Sequence, residues 1–220
     1  MKHISQENNF IYLFFALILF LFSSALVHQL EIPWLNVVHQ AIIVLVFLIG
    51  VHSLKANKSW LWAVYVMALI SAVLFLSKHF FHNSIILSYT HLIIFLLFFI
   101  GSFTLSYKQI VMSKSVDKNM IIGSIVLYLL IGLIWSIFYL LLLQSNQDAF
   151  VGVTAQPWRE SLPQLLYFSF VTLTTLGYGD ISPNGAISQF FTYTEAIVGV
   201  FYIAVIVSSL VSARINTFRQ

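Results

Sequence analysis

Six apolar runs constrain this chain most. They lie at roughly Phe10 to Val27, Trp34 to Val51, Trp60 to Ser77, Ser84 to Tyr107, Met120 to Leu143 and Ile187 to Ser212. Each is about 18 residues or longer, enough to cross the hydrocarbon of a bilayer. No water is present there to satisfy backbone N–H and C=O groups, so runs of this kind fold as helices. A composition of 60% hydrophobic and only 8% charged residues excludes a soluble core as the alternative. The expected fold is therefore an all-α membrane protein with six transmembrane helices. The chain has no cysteine, which removes disulfides and Cys-ligated metals from consideration. Its formal charge of +3 resides in loop lysines and gives no reason to expect a nucleic-acid partner.

Between the fifth and sixth runs lies a segment of a different kind. Ser161-Leu162-Pro163-Gln164 reads as a helix start, with Ser161 as N-cap, Pro163 in the first turn and Gln164 completing a capping box. The helix is expected to run to about Thr174, too short to span. Its C-terminal end, the negative end of its dipole, favours a cation at the membrane centre. Non-helical backbone follows in Thr174-Thr175-Leu176-Gly177-Tyr178-Gly179-Asp180. Such backbone is tolerated at membrane depth only where it is buried in protein or lines a watery cavity, so the segment reads as a re-entrant pore loop. Gly177 and Gly179 allow backbone conformations that a residue with a Cβ resists.

That string, with a capped helix before it and Gly199 placed 20 residues past Gly179 (199 − 179), resembles the filter region of the tetrameric potassium-channel superfamily. The resemblance covers about Met120 to Ile215 and rests on Tyr167 to Asp180 and on Gly199. It implies a homotetramer in which each chain supplies a quarter of every carbonyl ring around K+. The implied ligands are the carbonyls of Thr175, Leu176, Gly177 and Tyr178, with the Thr175 hydroxyl adding an inner ring. Thr174, Gly179, Asp180, Tyr167 and Phe168 are the implied filter supports. Leu176 stands where valine is commoner in the family, and Tyr167 and Phe168 stand where many members carry two tryptophans. Gly199 matches the family's inner-helix hinge, with a packing glycine as the plainer alternative. Val200, Ile203, Val207 and Val211 recur at three- and four-residue intervals beyond it and are candidates for the inner cavity and gate.

Six spans with the pore in the last two resemble the voltage-gated layout. Residues 1–107 are expected to form a four-helix transmembrane domain resembling a voltage-sensor bundle without its charges. Residues 108–119 then form a cytoplasmic interfacial linker, and 120–220 the pore domain. Between Asn83 and Lys108 there is no Lys, Arg, Asp or Glu, so the fourth span offers the membrane field little to act on. With both termini inside, Lys2, Lys55, Lys58, Lys108, Lys114, Lys118, Arg214 and Arg219 are cytoplasmic, and only Lys78 and Arg159 are external. This orientation puts the filter at the outer face of the cell membrane. Glu31, Asp148, Glu160 and Asp180 fall on the same side; Asp148 and Glu160 concentrate cations or are plain solvated charges, whereas Asp180 matches the filter-flanking acid that the resemblance implies. Lys2, an apolar stretch and Ser23-Ser24-Ala25 mimic a secretory signal with its cleavage site, but the length of the run favours a retained helix. With only short tails outside the spans, gating is expected from the membrane domain, the filter, lipids, pH or a separate regulatory subunit.

Glu195 lies about 12 Å into the last span. A carboxyl at that depth suggests a functional site, here a hydrogen bond behind the filter to Thr172 or a pore-helix amide. On that reading, Glu195→Gln disturbs inactivation or selectivity; a packed or protonated structural residue is the alternative. His39, His52 and His91 raise a haem or metal enzyme, but His39 and His52 are about 20 Å apart along one helix and cannot share a metal. No cofactor is expected beyond permeant K+ ions, and the chain is expected not to be an enzyme. The reading is a potassium-selective channel that is not strongly voltage-gated. A poorly selective cation channel or a potassium-transporter subunit are the rivals.

Overall fold

The computed structural model describes residues 9–30, 32–54, 58–77, 85–112, 118–153 and 157–218, and side chains within these except at 33, 77, 207 and 209–218. The chain is an all-α membrane protein. Its long helices are α1 (Asn9–Leu30), α2 (Pro33–Ser53), α3 (Lys58–Ser77), α4 (Ile85–Val111), α5 (Lys118–Ser145) and α7 (Ala186–Phe218). These six are long and apolar enough to cross a membrane. The shorter α6 (Trp158–Leu173) precedes the filter string. Most helices run a few residues past the apolar runs, because helical backbone hydrogen bonding continues through polar residues at the ends. α4 extends through Lys108 to Val111, so the first residues of the expected linker are helical; 113–117 lie outside the described residues. One feature has no apolar-run signal. β1 (Phe150–Val151) pairs antiparallel with β2 (Ser182–Pro183), setting Phe150 opposite Pro183 and Val151 opposite Ser182.

Lipid tails are as apolar as leucine, so burial alone does not hold these helices together; tight packing and polar contacts must. Aromatic rings fill the bundle interior. Phe20 of α1 stacks on His39 of α2 at 5.4 Å and meets Phe99 of α4, while Phe47 of α2 lies 4.1 Å from Phe98 of α4. Polar links tie the same helices. Ser23 Oγ is 2.8 Å from His39 Nδ1, Gln40 Nε2 donates to Ser71 Oγ at 3.1 Å, and His91 Nε2 lies 3.4 Å from Ser71 Oγ. At the other end, Asn9 donates to the Ser53 carbonyl and accepts from Asn119 Nδ2 at 2.7 Å. This joins the start of α1 to the end of α2 and the start of α5. α1 packs on α2, α5 and α6, and α4 packs on α5, so the first four helices meet the rest of the chain mainly through α1 and α4.

Candidate functional site: the filter segment and its supports

α6 begins earlier than the sequence suggests. Ser161 is not its N-cap: α6 starts at Trp158 with Pro157 capping, and the Glu160 amide donates to the Pro157 carbonyl at 2.8 Å. Pro157 presets φ at −46°, and Trp158, 4% exposed, wedges against His91 and Phe95 of α4. Burial of this indole draws the preceding turn into the helix. Ser161 is buried inside it, Pro163 falls in its interior, and the Gln164 Oε1 is buried without a hydrogen-bond partner among the described residues, so no capping box forms. Arg159 is half-buried. Its guanidinium lies over the Trp158 and Phe75 rings, at 4.6 and 5.2 Å, and its Nη1 donates to Gln40 Oε1 at 3.4 Å.

At its other end α6 stops at Leu173, with Thr174 as C-cap, close to the expected place. The carbonyls released there are used at once. Thr175 N donates to the Thr172 carbonyl and Leu176 N to the Val171 carbonyl, both at 2.9 Å; Gly177 N also reaches Val171 O at 3.4 Å. The Leu173 carbonyl accepts the Tyr128 hydroxyl of α5 at 3.0 Å. The inner half of the filter string is thus hung from the last turn of the pore helix.

Along the string φ is positive at Thr175 (59°), Gly177 (58°) and Gly179 (81°), and not at Leu176 or Tyr178. Alternating hand turns successive N–H groups to one side and leaves the carbonyls on the other. Thr175 carries this conformation with a β-branched side chain, which costs about 1–2 kcal/mol; sequence reasoning credited only the glycines. Residues 174–180 are all exposed on the single chain. The Tyr178 ring stacks on Tyr167 (6.5 Å between centroids, 5° between planes), and the Tyr167 hydroxyl hydrogen-bonds the Asp180 carboxylate. The outer end is fastened by the β1–β2 pair. A Cβ at Gly152 would stand 2.1 Å from the Asp180 carbonyl oxygen, and Asn184 bonds the Ala149 and Asp148 carbonyls.

The two aromatic positions before the filter diverge. Tyr167 faces the filter, whereas Phe168 is buried in a ring cluster with Tyr139 of α5 and Phe150 of β1, at 5.1 and 5.5 Å. Glu195 is fully buried behind the pore helix. Its partners are Ser169 Oγ at 2.5 Å and the Tyr139 hydroxyl, in place of the expected Thr172, whose carbonyl serves Thr175. Gly199 presses on the pore helix: a Cβ there would lie 2.0 Å from the Leu173 carbonyl oxygen. That contact favours the packing alternative over the hinge. Val200 and Ile203 are exposed on the single chain, and the side chains of Val207 and Val211 lie outside the described residues.

Sequence reasoning missed Tyr128, Tyr139 and Ser169. The available signal was hydroxyl groups inside otherwise apolar helices, where each must find a partner. His39 and His91 serve the bundle network, and His52 bonds the Leu48 carbonyl and the Tyr65 hydroxyl; His79 and His82 lie outside the described residues.

A family model described as "Ion channel" matches residues 124–215. Among curated proteins, "Two-pore potassium channel 3" of Arabidopsis thaliana is 34% identical over 88 residues, 40% of this chain and 18% of that protein. "Two-pore potassium channel 2" of the same plant is 29% identical over 94 residues, 43% of this chain and 19% of that protein. The matched stretch therefore spans less than a fifth of either relative. No solved structure matches the chain.

Proposed function

We propose that four copies of this chain form a potassium-selective channel that conducts passively, a reading supported by the match of residues 124–215 to the ion-channel family model and by the similarity to the two potassium channels. The observation that carries this reading is the filter backbone: alternating positive φ at Thr175, Gly177 and Gly179, with its inner amides tied to Val171 and Thr172. A tethered string of that geometry can present the carbonyls of Thr175, Leu176, Gly177 and Tyr178 to a dehydrated cation, with the Thr175 hydroxyl completing the inner ring. Thr174 caps the pore helix, whose carbonyl end faces the same place. Tyr167, Phe168, Gly179 and Asp180 support the filter's outer half. The gate lies along α7 past Gly199, at Val200, Ile203, Val207 and Val211. Both termini are cytoplasmic, the filter opens to the outside of the cell membrane, and no organic cofactor or catalytic residue takes part.

The exposure of the filter residues and of α7 on one chain supports assembly, since such surfaces need neighbours, lipid or a water-filled pore to face. Proteoliposomes loaded with potassium chloride or with sodium chloride, each diluted into the chloride of an impermeant organic cation such as N-methyl-D-glucamine, test the reading. With a protonophore present, potassium efflux should drive proton uptake that quenches an internal pH dye, and sodium-loaded vesicles should stay silent. Equal quenching from sodium-loaded vesicles would support the poorly selective alternative.

A further inference from the structure

Three helices meet at one carboxyl group behind the filter. Glu195 of α7 is 0% exposed; Oε2 takes a hydrogen bond from the Tyr139 hydroxyl of α5, and Oε1 lies 2.5 Å from Ser169 Oγ of α6. Ser169 Oγ also lies 2.7 Å from the Gly132 carbonyl oxygen of α5. These three contacts need three protons. The Gly132 carbonyl has none to give, and each hydroxyl has one. The Tyr139 proton serves Oε2, and the single Ser169 proton cannot serve both Gly132 and Oε1. The third must come from the carboxyl group. Among the described residues the polar groups facing Glu195 are Ser169 and Tyr139, with Thr192 beside the Tyr139 hydroxyl but giving its own proton to the Ser188 carbonyl at 2.8 Å, and Tyr128 of α5 the next titratable neighbour. None of these supplies a counter-charge that would hold a carboxylate at this depth.

We propose that Glu195 is carried as a neutral carboxylic acid that donates to Ser169, so that Tyr139, Glu195, Ser169 and Gly132 form one directed chain of hydrogen bonds positioning the pore helix. The donors run from Tyr139 to Oε2, from the Glu195 O–H to Ser169, and from Ser169 to Gly132. Glu195 is a positioning residue: it acts through Ser169, on the same helix whose Val171 and Thr172 carbonyls hold the filter amides. The protonation stands apart from conduction, whereas its effect on filter stability rests on the channel reading.

The donor count reverses the expectation drawn from sequence for Glu195→Gln. A glutamine amide accepts from Tyr139 through its oxygen and donates to Ser169 through its nitrogen, and so mimics the neutral acid. The test uses the full chain reconstituted in lipid. The infrared difference spectrum of wild type minus Glu195→Gln should contain a protonated-carboxyl C=O band that shifts in heavy water. Carboxylate bands in its place would overturn the proposal. In the kinetic arm, Glu195→Ala and Ser169→Ala should each speed inactivation on the order of tenfold, and Glu195→Gln should restore the slow rate. Glutamine behaving like alanine would contradict it, and Ser169→Ala carries this arm if Glu195→Ala does not assemble. If no variant and no wild type conducts, the channel reading fails while the infrared arm still decides the proton.

Discussion

Gly199 and Gly152 are the two positions where a single methyl group meets backbone rather than space. At Gly199 the added carbon would stand 2.0 Å from the Leu173 carbonyl oxygen, which already accepts the Tyr128 hydroxyl. Gly199→Ala is therefore expected to push α7 off the pore helix and to cost about 1–3 kcal/mol, read as a lower melting temperature of the purified assembly. An unchanged melting temperature with altered open probability would instead favour the hinge. At Gly152, φ is +86° and the added carbon would sit 2.1 Å from the Asp180 carbonyl oxygen. Gly152→Ala should loosen the filter's outer fastening and speed inactivation while leaving the inner ring, hung from Val171 and Thr172, in place. Selectivity lost together with inactivation would show that the two ends of the filter are not held independently.

At the level of elements, what the sequence disclosed follows from how local each cause is. The six long apolar helices were legible because a bilayer demands long apolar runs, and the turns of the 174–180 string were legible in part because Gly177 and Gly179 lie in the string itself. The start of α6 was not. It depends on Trp158 finding His91 and Phe95 across the bundle, more than 60 residues earlier (158 − 95 = 63). Glu195 was visible as a carboxyl out of place, but its partners lie 26 and 56 residues away, on other helices. The same non-local packing gives the first four helices a hold on the pore. Arg159 extends from the pore helix over Phe75 of α3 and toward Gln40 of α2. Arg159→Gln and Gln40→Leu should each destabilise the chain, and the double variant should fall short of the sum by about 0.5–2 kcal/mol in a thermal-unfolding cycle. Additive effects would mean that the contact carries no energy.

Taken as a whole molecule, the chain has six helices long and apolar enough to cross a membrane among its described residues, and the fourth of them carries little charge. α4 carries Lys108 in its last turn and no other Lys or Arg, and it presents Phe95, Phe98 and Phe99 to the bundle. A field of 100 mV acts on each transferred charge with about 2.3 kcal/mol, so a helix with nothing to transfer leaves conductance shallow in voltage. A conductance–voltage relation worth several elementary charges would contradict this. The tetramer, the orientation and the clamp at Glu195 all draw their meaning from one claim, that the string from Thr175 to Tyr178 selects potassium. The reversal potential of the purified protein in a planar bilayer, with potassium on one side and sodium on the other, tests that claim most directly. A value close to the potassium equilibrium potential is expected; robust current reversing near zero would contradict potassium selectivity.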